Sequence, residues 1–161
     1  MRGVDSVADR LHAAGERATP QRLLIADALA AHGRRITAQE LYERVRRRQR
    51  GIGRATVFRT LEALVAAGVA RRFEEAGNVS GYVACRPEHH HHLACDRCGR
   101  VEEIDEAVVR PLADRAAGEF GFAINDARLD FYGICADCQA LESAAAGLGE
   151  MDRVGASDSR G

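Results

Sequence analysis

"GRATVFRTLEALVAAGVARRFEEAGNVSGYVAC", residues 53–85, changes its period part-way along. Up to Ala67 the apolar residues Val57, Leu61, Leu64 and Val65 recur at i, i+4, i+7 and i+8, the stripe of an amphipathic helix that Gly68 can end. Beyond Gly68 the period becomes two. "VARRF" and "GYVAC" are short strand candidates, and Gly77 and Asn78 between them suit a turn. A helix followed directly by a two-stranded hairpin is the core of a winged helix-turn-helix, provided that helices precede it.

They do. Residues 4–14 predict a short helix that Gly15 ends. Thr19 followed by Pro20 reads as an N-cap with proline at the first helical position, opening a helix through about Ala31 with Leu23, Leu24, Ala28 and Leu29 on its inner side. "TAQE" pairs Thr37 with Glu40 as a capping box for a third helix through about Arg48, burying Leu41 and Val45. Gly51 and Gly53 then break the chain before the helix that starts at Arg54.

Charge divides the chain in the same sense. Residues 1–72 hold 15 arginines against seven acids, a net +8, whereas residues 73–161 hold eight arginines against 17 acids, a net −9. A basic half suits a polyanion and an acidic half does not, so a DNA-binding module precedes a part of another kind. On the helix from Arg54, residues Ala55, Thr56 and Arg59 point away from the apolar stripe, with Phe58 on the border. Small residues permit close approach to base edges, Arg59 can reach phosphate or guanine, and Thr56 and Phe58 can touch a thymine methyl. The alternative is that Phe58 is core and Arg59 a solvated charge. The arginines of residues 44–50 spread around their helix, as solvated groups or non-specific phosphate contacts do.

The acidic half carries metal chemistry. Cys95 and Cys98 with Cys135 and Cys138 make two C-x2-C pairs separated by 36 residues, and zinc favours four thiolates in a tetrahedron. The intervening segment exceeds the 15–20 residues of a small zinc ribbon, but loop closure scales logarithmically, so the excess costs well under about 1 kcal/mol. A closed four-cysteine site leaves no position for water or substrate and is therefore structural, one zinc per chain. Between the pairs lie a strand candidate at 101–105, a helix over 106–120 marked by Val108, Val109, Leu112 and Phe120, and a strand in "ARLDFYGIC". This small α/β unit has little core of its own, which favours a metal staple and dimerisation through a sheet edge.

Cys85 and "HHHH", residues 89–92, remain. Histidine runs are frequent as terminal tags, but this one is internal. In an extended chain His90 and His92 face one side while His89 and His91 face the other, so only one alternating pair can share a metal with Cys85. A cysteine, two histidines and a carboxylate make a zinc-type site, softer than iron requires. The alternative is a polar linker beside a small buried cysteine.

The domains expected are thus residues 1–86 (winged helix), 87–139 (α/β, dimerisation and metal binding) and 140–161 (an Ala-, Gly- and Ser-rich disordered tail), an α+β chain overall. No apolar run approaches a membrane span and the first residues lack a signal peptide's apolar stretch, so a cytoplasmic protein without membrane partners is expected. In that compartment paired thiols suit metal better than disulfides. No zinc-deaminase combination of H-x-E with P-C-x-x-C, serine nucleophile motif or phosphate loop is present, which argues against an enzyme and a small-molecule substrate. A zinc-stapled interaction module that never meets DNA is the rival from another class.

Taken in order, "TPQR", "TAQELY", "GRATVFRTLEALVAAGV", "HHHHLACDRCGRVEEI" and "FYGICADC" make residues 8–138 resemble the ferric uptake regulator family of metal-dependent bacterial repressors. The resemblance implies a homodimer that binds a palindromic AT-rich operator in double-stranded DNA once a second, regulatory metal bridges its two domains. By position, Arg17 resembles the basic residue that reaches the minor groove, Arg59 matches the recognition-helix arginine, and Phe58 stands where tyrosine is usual. Arg54, Thr56, Phe58 and Arg59, with Arg17, are the expected DNA contacts. His90 and His92 match the regulatory histidines, and Cys85 resembles the thiolate of the zinc uptake branch, so Zn2+ is the expected regulatory metal. Fe2+ and Mn2+ rank behind it, and iron, manganese, nickel or peroxide sensing is the alternative within the family. Glu74 and Glu103 fall near the remaining ligand positions, while Arg71 stands where some relatives have aspartate. Arg35, with His32 nearby, replaces the histidine that iron sensors place before "TAQELY". A further family metal site has Arg110 and Ala127 at its ligand positions, which implies that it is absent and leaves open whether His89 or His91 binds metal.

Overall fold

The computed structural model describes residues 6–75, 79–87 and 90–144. The Gly77–Asn78 turn, His89 and residues 145–161 of the expected tail lie outside them, as do the first positions of the expected opening helix. Helix α1 (Val7–Ala13) starts on a capping box in which the Ser6 hydroxyl accepts from Asp9 N–H and the Asp9 carboxylate accepts from Ser6 N–H. Helix α2 (Pro20–Ala30) has Thr19 as N-cap and proline at its first position. Helix α3 (Ala38–Arg48) opens on the Thr37/Glu40 capping box, whose hydrogen bonds hold the Glu40 carboxyl below the usual carboxylate range. Helix α4 (Arg54–Ala66) follows Gly53.

The apolar stripe of α4 faces inward as its period requires, with Val57, Leu61 and Leu64 buried and Val65 half-buried. Helix α2 departs from expectation. Ile25 and Ala26 are buried beside Ala28 and Leu29, while Leu23 and Leu24 are only half-buried. The cause is that α2 is enclosed by α1, α3, α4 and the wing at once, so its buried surface is wider than a stripe.

Strands β2 (Ala70–Glu75) and β3 (Val79–Ala84) form the expected antiparallel hairpin, with Phe73 opposite Gly81. A third strand, β1 (Ile36–Thr37), pairs with the far edge of β3, giving the order β1-β3-β2. Two residues are too few to show a period of two. Gly68, in the left-handed region at φ 65°, turns the chain from α4 into β2.

The second sheet has the order β5-β4-β6, from β4 (His90–Cys95), β5 (Val101–Asp105) and β6 (Asp130–Gly133). Strands β4 and β5 are an antiparallel pair, whereas β6 lies parallel to β4 and so needs a crossover, which helix α5 (Glu106–Phe120) supplies. That crossover explains the long spacing between the cysteine pairs. Along α5 only Val109 is buried; Phe120, expected as an apolar marker, is 68% exposed, with Val108 and Leu112 also exposed. Residues 136–144 are helical, so helix occupies 140–144 where a tail was expected. No helix among the described residues is long and apolar enough to cross a membrane.

A second, small core joins the two parts. Phe73 and Val83 of the wing pack with Ala94 of β4, and Val101 of β5 leans on them. Phe73 is only 1% exposed. Truncating it opens a cavity on both sides of the junction, so Phe73→Ala is expected to cost about 3–5 kcal/mol in urea unfolding, with Val65→Ala, half-buried in the helical core, costing less.

Candidate metal centres and nucleic-acid face

The parallel register of β4 and β6 builds the first centre. Cys95 ends β4 opposite Gly133, two residues before Cys135, and Asp96 N–H donates to Gly133 O at 2.9 Å. Each strand therefore delivers its C-x2-C turn to the same end of the sheet. Cys95 Sγ lies 3.9 Å from Cys138 Sγ, and Cys98 Sγ 3.7 Å from Cys135 Sγ, with all four sulfurs within 4.8 Å of one another. A tetrahedron with Zn–S near 2.3 Å has sulfurs about 3.8 Å apart, so the two measured pairs match its edge and the four residues fit a zinc ion. Cys135 N–H, 3.4 Å from Cys95 Sγ, and the N–H groups of the Cys95–Cys98 turn hold the Cys95 thiol down to about 6. That favours the thiolate zinc requires.

The second centre lies where the wing meets β4. Cys85 belongs to the winged module, its N–H donating to Val69 O at 2.8 Å. Its sulfur lies 3.7 Å from His92 Nε2, and ligand atoms of Cys85, His90 and His92 all fall within 4.8 Å of one another. The opposite ring nitrogen of His92, Nδ1, lies 3.2 Å from Asp130, the arrangement that fixes a metal-binding imidazole with Nε2 toward the ion. Burial, reinforced by His90, pushes the His92 imidazolium below its ordinary value, so the ring is neutral and ready to donate near pH 7. Burial, with Glu103 nearby, pushes the Cys85 thiol up to about 11.

Neither carboxylate expected to complete this shell joins the cluster of Cys85, His90 and His92; Glu103 borders it, with an oxygen 3.5 Å from His90 Nε2 and an ion pair to Arg86. Glu74 is exposed on β2 and lines the same cleft without joining the cluster. Sequence reasoning missed Asp130, because 38 residues separate it from His92 and nothing in "RLDFYG" singles out its carboxylate; the β4–β6 register sets His92 directly opposite. Asp130 also pairs with Arg71.

His91 faces the other way, as alternation requires. It is 1% exposed, Leu129 N–H donates to its Nδ1 at 3.3 Å, and its Nε2 lies 2.9 Å from Glu106. The two ring nitrogens thus tie β4 to α5 and to Leu129, the residue before β6. His32 lies 3.2 Å from Arg44, outside both clusters.

The expected DNA contacts lie on the N-terminal half of α4. Arg54, Ala55 and Arg59 are exposed, Thr56 is half-buried, and Phe58 is 46% exposed, which removes the reading of Phe58 as core. The Arg54 guanidinium lies 5.4 Å over the Tyr42 ring, and Arg59 Nε donates to Ala55 O at 3.2 Å. Arg17 is exposed between α1 and α2.

The model of the ferric uptake regulator family matches residues 13–132. The chain belongs to that family. The ferric uptake regulation protein of Bacillus subtilis is 33% identical over 144 residues, covering 87% of this chain and 97% of the relative. The Vibrio cholerae ferric uptake regulator superposes with a TM-score of 0.59 at 32% identity, over 78% of this chain and 96% of that one. A zinc uptake regulator solved with zinc and DNA gives 0.62 at 28% identity, over 86% and 98%. The chain is accordingly a metal-responsive transcriptional regulator and not an enzyme.

A thiol held near 11 must give up its proton when a metal binds, whereas His92, already neutral, releases none above pH 7. Affinity at the second centre should therefore rise about tenfold per pH unit between about pH 7 and 9, read by competition with a chelator of known pH dependence. Cys85→Ser should flatten that slope.

Proposed function

We propose that this regulator responds to zinc and represses transcription in the cytoplasm by binding palindromic, AT-rich operator DNA as a homodimer when its second centre is filled. The observation that carries the reading is the Cys85 sulfur facing His92 across the domain junction. Thiolate with two imidazoles is a soft set that suits zinc better than iron or manganese, which favour harder, oxygen-rich shells. Cys85, His90, His92 and Glu103 hold that ion, and Glu74 is an outer candidate. Cys95, Cys98, Cys135 and Cys138 hold a structural zinc.

Affinity for DNA follows from geometry. Cys85 is anchored to the winged module and the histidines to the α/β domain, so a shared cation binds the closed arrangement better than an open one, and that difference is all the switch can use. The closed arrangement sets two copies of α4 for successive major grooves. Arg54, Thr56, Phe58 and Arg59 then face base edges and phosphates, and Arg17 the minor groove. The exposed apolar side chains of α5, Val108, Leu112 and Phe120, support a homodimer, since large apolar groups exposed along one helix mark an interaction surface.

Titration of operator DNA with and without zinc tests the proposal. Zinc should raise the affinity of the wild-type dimer, and Cys85→Ser should lose that increase while keeping its fold, whereas Cys95→Ser should destabilise the domain. Full zinc stimulation in Cys85→Ser would refute the sensory assignment. Equal binding by stripped and loaded protein would favour an interaction module without a DNA switch. Elemental analysis should find one tightly held zinc per chain and one removable by mild chelation.

A further inference from the structure

The winged module touches the α/β domain at a second point, far along β4 from Cys85. Arg35, at the turn from α2 into β1, has a side chain only 6% exposed. Its backbone N–H donates to Gly99 O at 2.8 Å and its guanidinium to Cys95 O at 2.6 Å. The guanidinium also lies 3.9 Å from Asp96 Oδ1 and 5.9 Å over the Phe73 ring. Gly99 stands at φ 70°, and a side chain there would meet Arg35 Cβ at 3.6 Å and Arg35 O at 3.7 Å, so the two main chains are in contact.

The two acceptor carbonyls, of Cys95 and Gly99, bracket the Cys95–Cys98 turn, the one that holds half of the four-cysteine centre. An arginine cannot ligate a metal and cannot lose its charge, so this position can answer an ion only through that turn. Filling the centre fixes the turn's backbone and with it the direction of the Cys95 and Gly99 carbonyls.

We propose that Arg35 is a positioning residue that couples the four-cysteine centre to the orientation of the winged module, making that centre a second input to the DNA-binding geometry besides the Cys85 site. The proposal rests on the assignment of the four cysteines to a metal, and it is separable from the reading of Cys85 as sensor. Coupling between two sites is reciprocal, so removing the latch must also weaken the hold on the ion.

The test uses the full-length dimer, with the removable metal first stripped. Arg35→Gln and Arg35→Ala are titrated with a chromophoric zinc chelator, and the connection between β3 and β4 is probed by limited proteolysis with no DNA present. The chelator concentration that removes half the remaining zinc should fall about tenfold, and cleavage of the connection should speed up, while the helical circular dichroism of the zinc-loaded protein is unchanged. Arg35→Lys, which keeps the charge but not the planar fork, should fall between, and it supplies both readings should the other two not fold. Wild-type zinc retention together with wild-type cleavage overturns the latch even if DNA binding still answers to zinc at Cys85. The shifted retention and cleavage would stand even if zinc failed to alter DNA binding, which overturns only the sensor reading.

Discussion

The junction between the domains rests on one buried ring. Phe73 sits at the end of the wing, edge-on to His92 with ring centroids 5.5 Å apart, beneath the Arg35 guanidinium, and packed with Ala94. Its position decides whether the winged module can bring Cys85 to the histidines at all. Apolar packing is short-ranged and non-directional, so Phe73, Val83 and Ala94 hold the modules close without selecting one angle tightly. Angle is left to directional contacts, the sulfur and imidazoles on one side and the carbonyls that accept from Arg35 on the other. This division suits a switch, because a weakly specified angle is one that a single ion can bias.

How much bias an ion must supply is set by the populations. Moving a 1:99 mixture to 99:1 requires about 5.5 kcal/mol of differential binding. The cluster is well placed to deliver it, since Cys85 is tied by its N–H to Val69 and His92 is oriented by Asp130, so few degrees of freedom remain to be fixed. In the proposed switch, part of that energy would be offset by deprotonating a thiol that burial has made a weak acid, which would tie the switch to pH as well as to metal.

The winged half was legible because its signals are local. Thr19–Pro20, the Thr37/Glu40 box and the change from helical to alternating period at Gly68 each act over a few residues, and each lies where it was expected. The four cysteines were legible for another reason, since C-x2-C is itself the geometry of a metal knuckle. What escaped was long-range. Strand β1 has only two residues, Asp130 is brought to His92 by strand pairing, and the partners of Arg35 lie 60 residues or more away in the chain. Helix α5 shows the converse limit: its apolar residues were visible, but whether a neighbour within the chain covers them is a matter of topology, and only Val109 is covered.

On the proposed ligand set, charge balance accounts for Arg71 beside the site. Two anionic donors, the Cys85 thiolate and the Glu103 carboxylate, with two imidazoles, would cancel the charge of a divalent ion, so the filled centre would be neutral and its burial would carry little electrostatic penalty. Asp130 would upset that balance as a ligand. It is instead neutralised by Arg71 and spends its remaining oxygen on His92 Nδ1. An aspartate at position 71 would leave two carboxylates side by side and draw one of them to the metal, which would harden the shell toward oxygen. On the proposed reading, the arginine would keep sulfur and nitrogen as the donors that decide which ion is held.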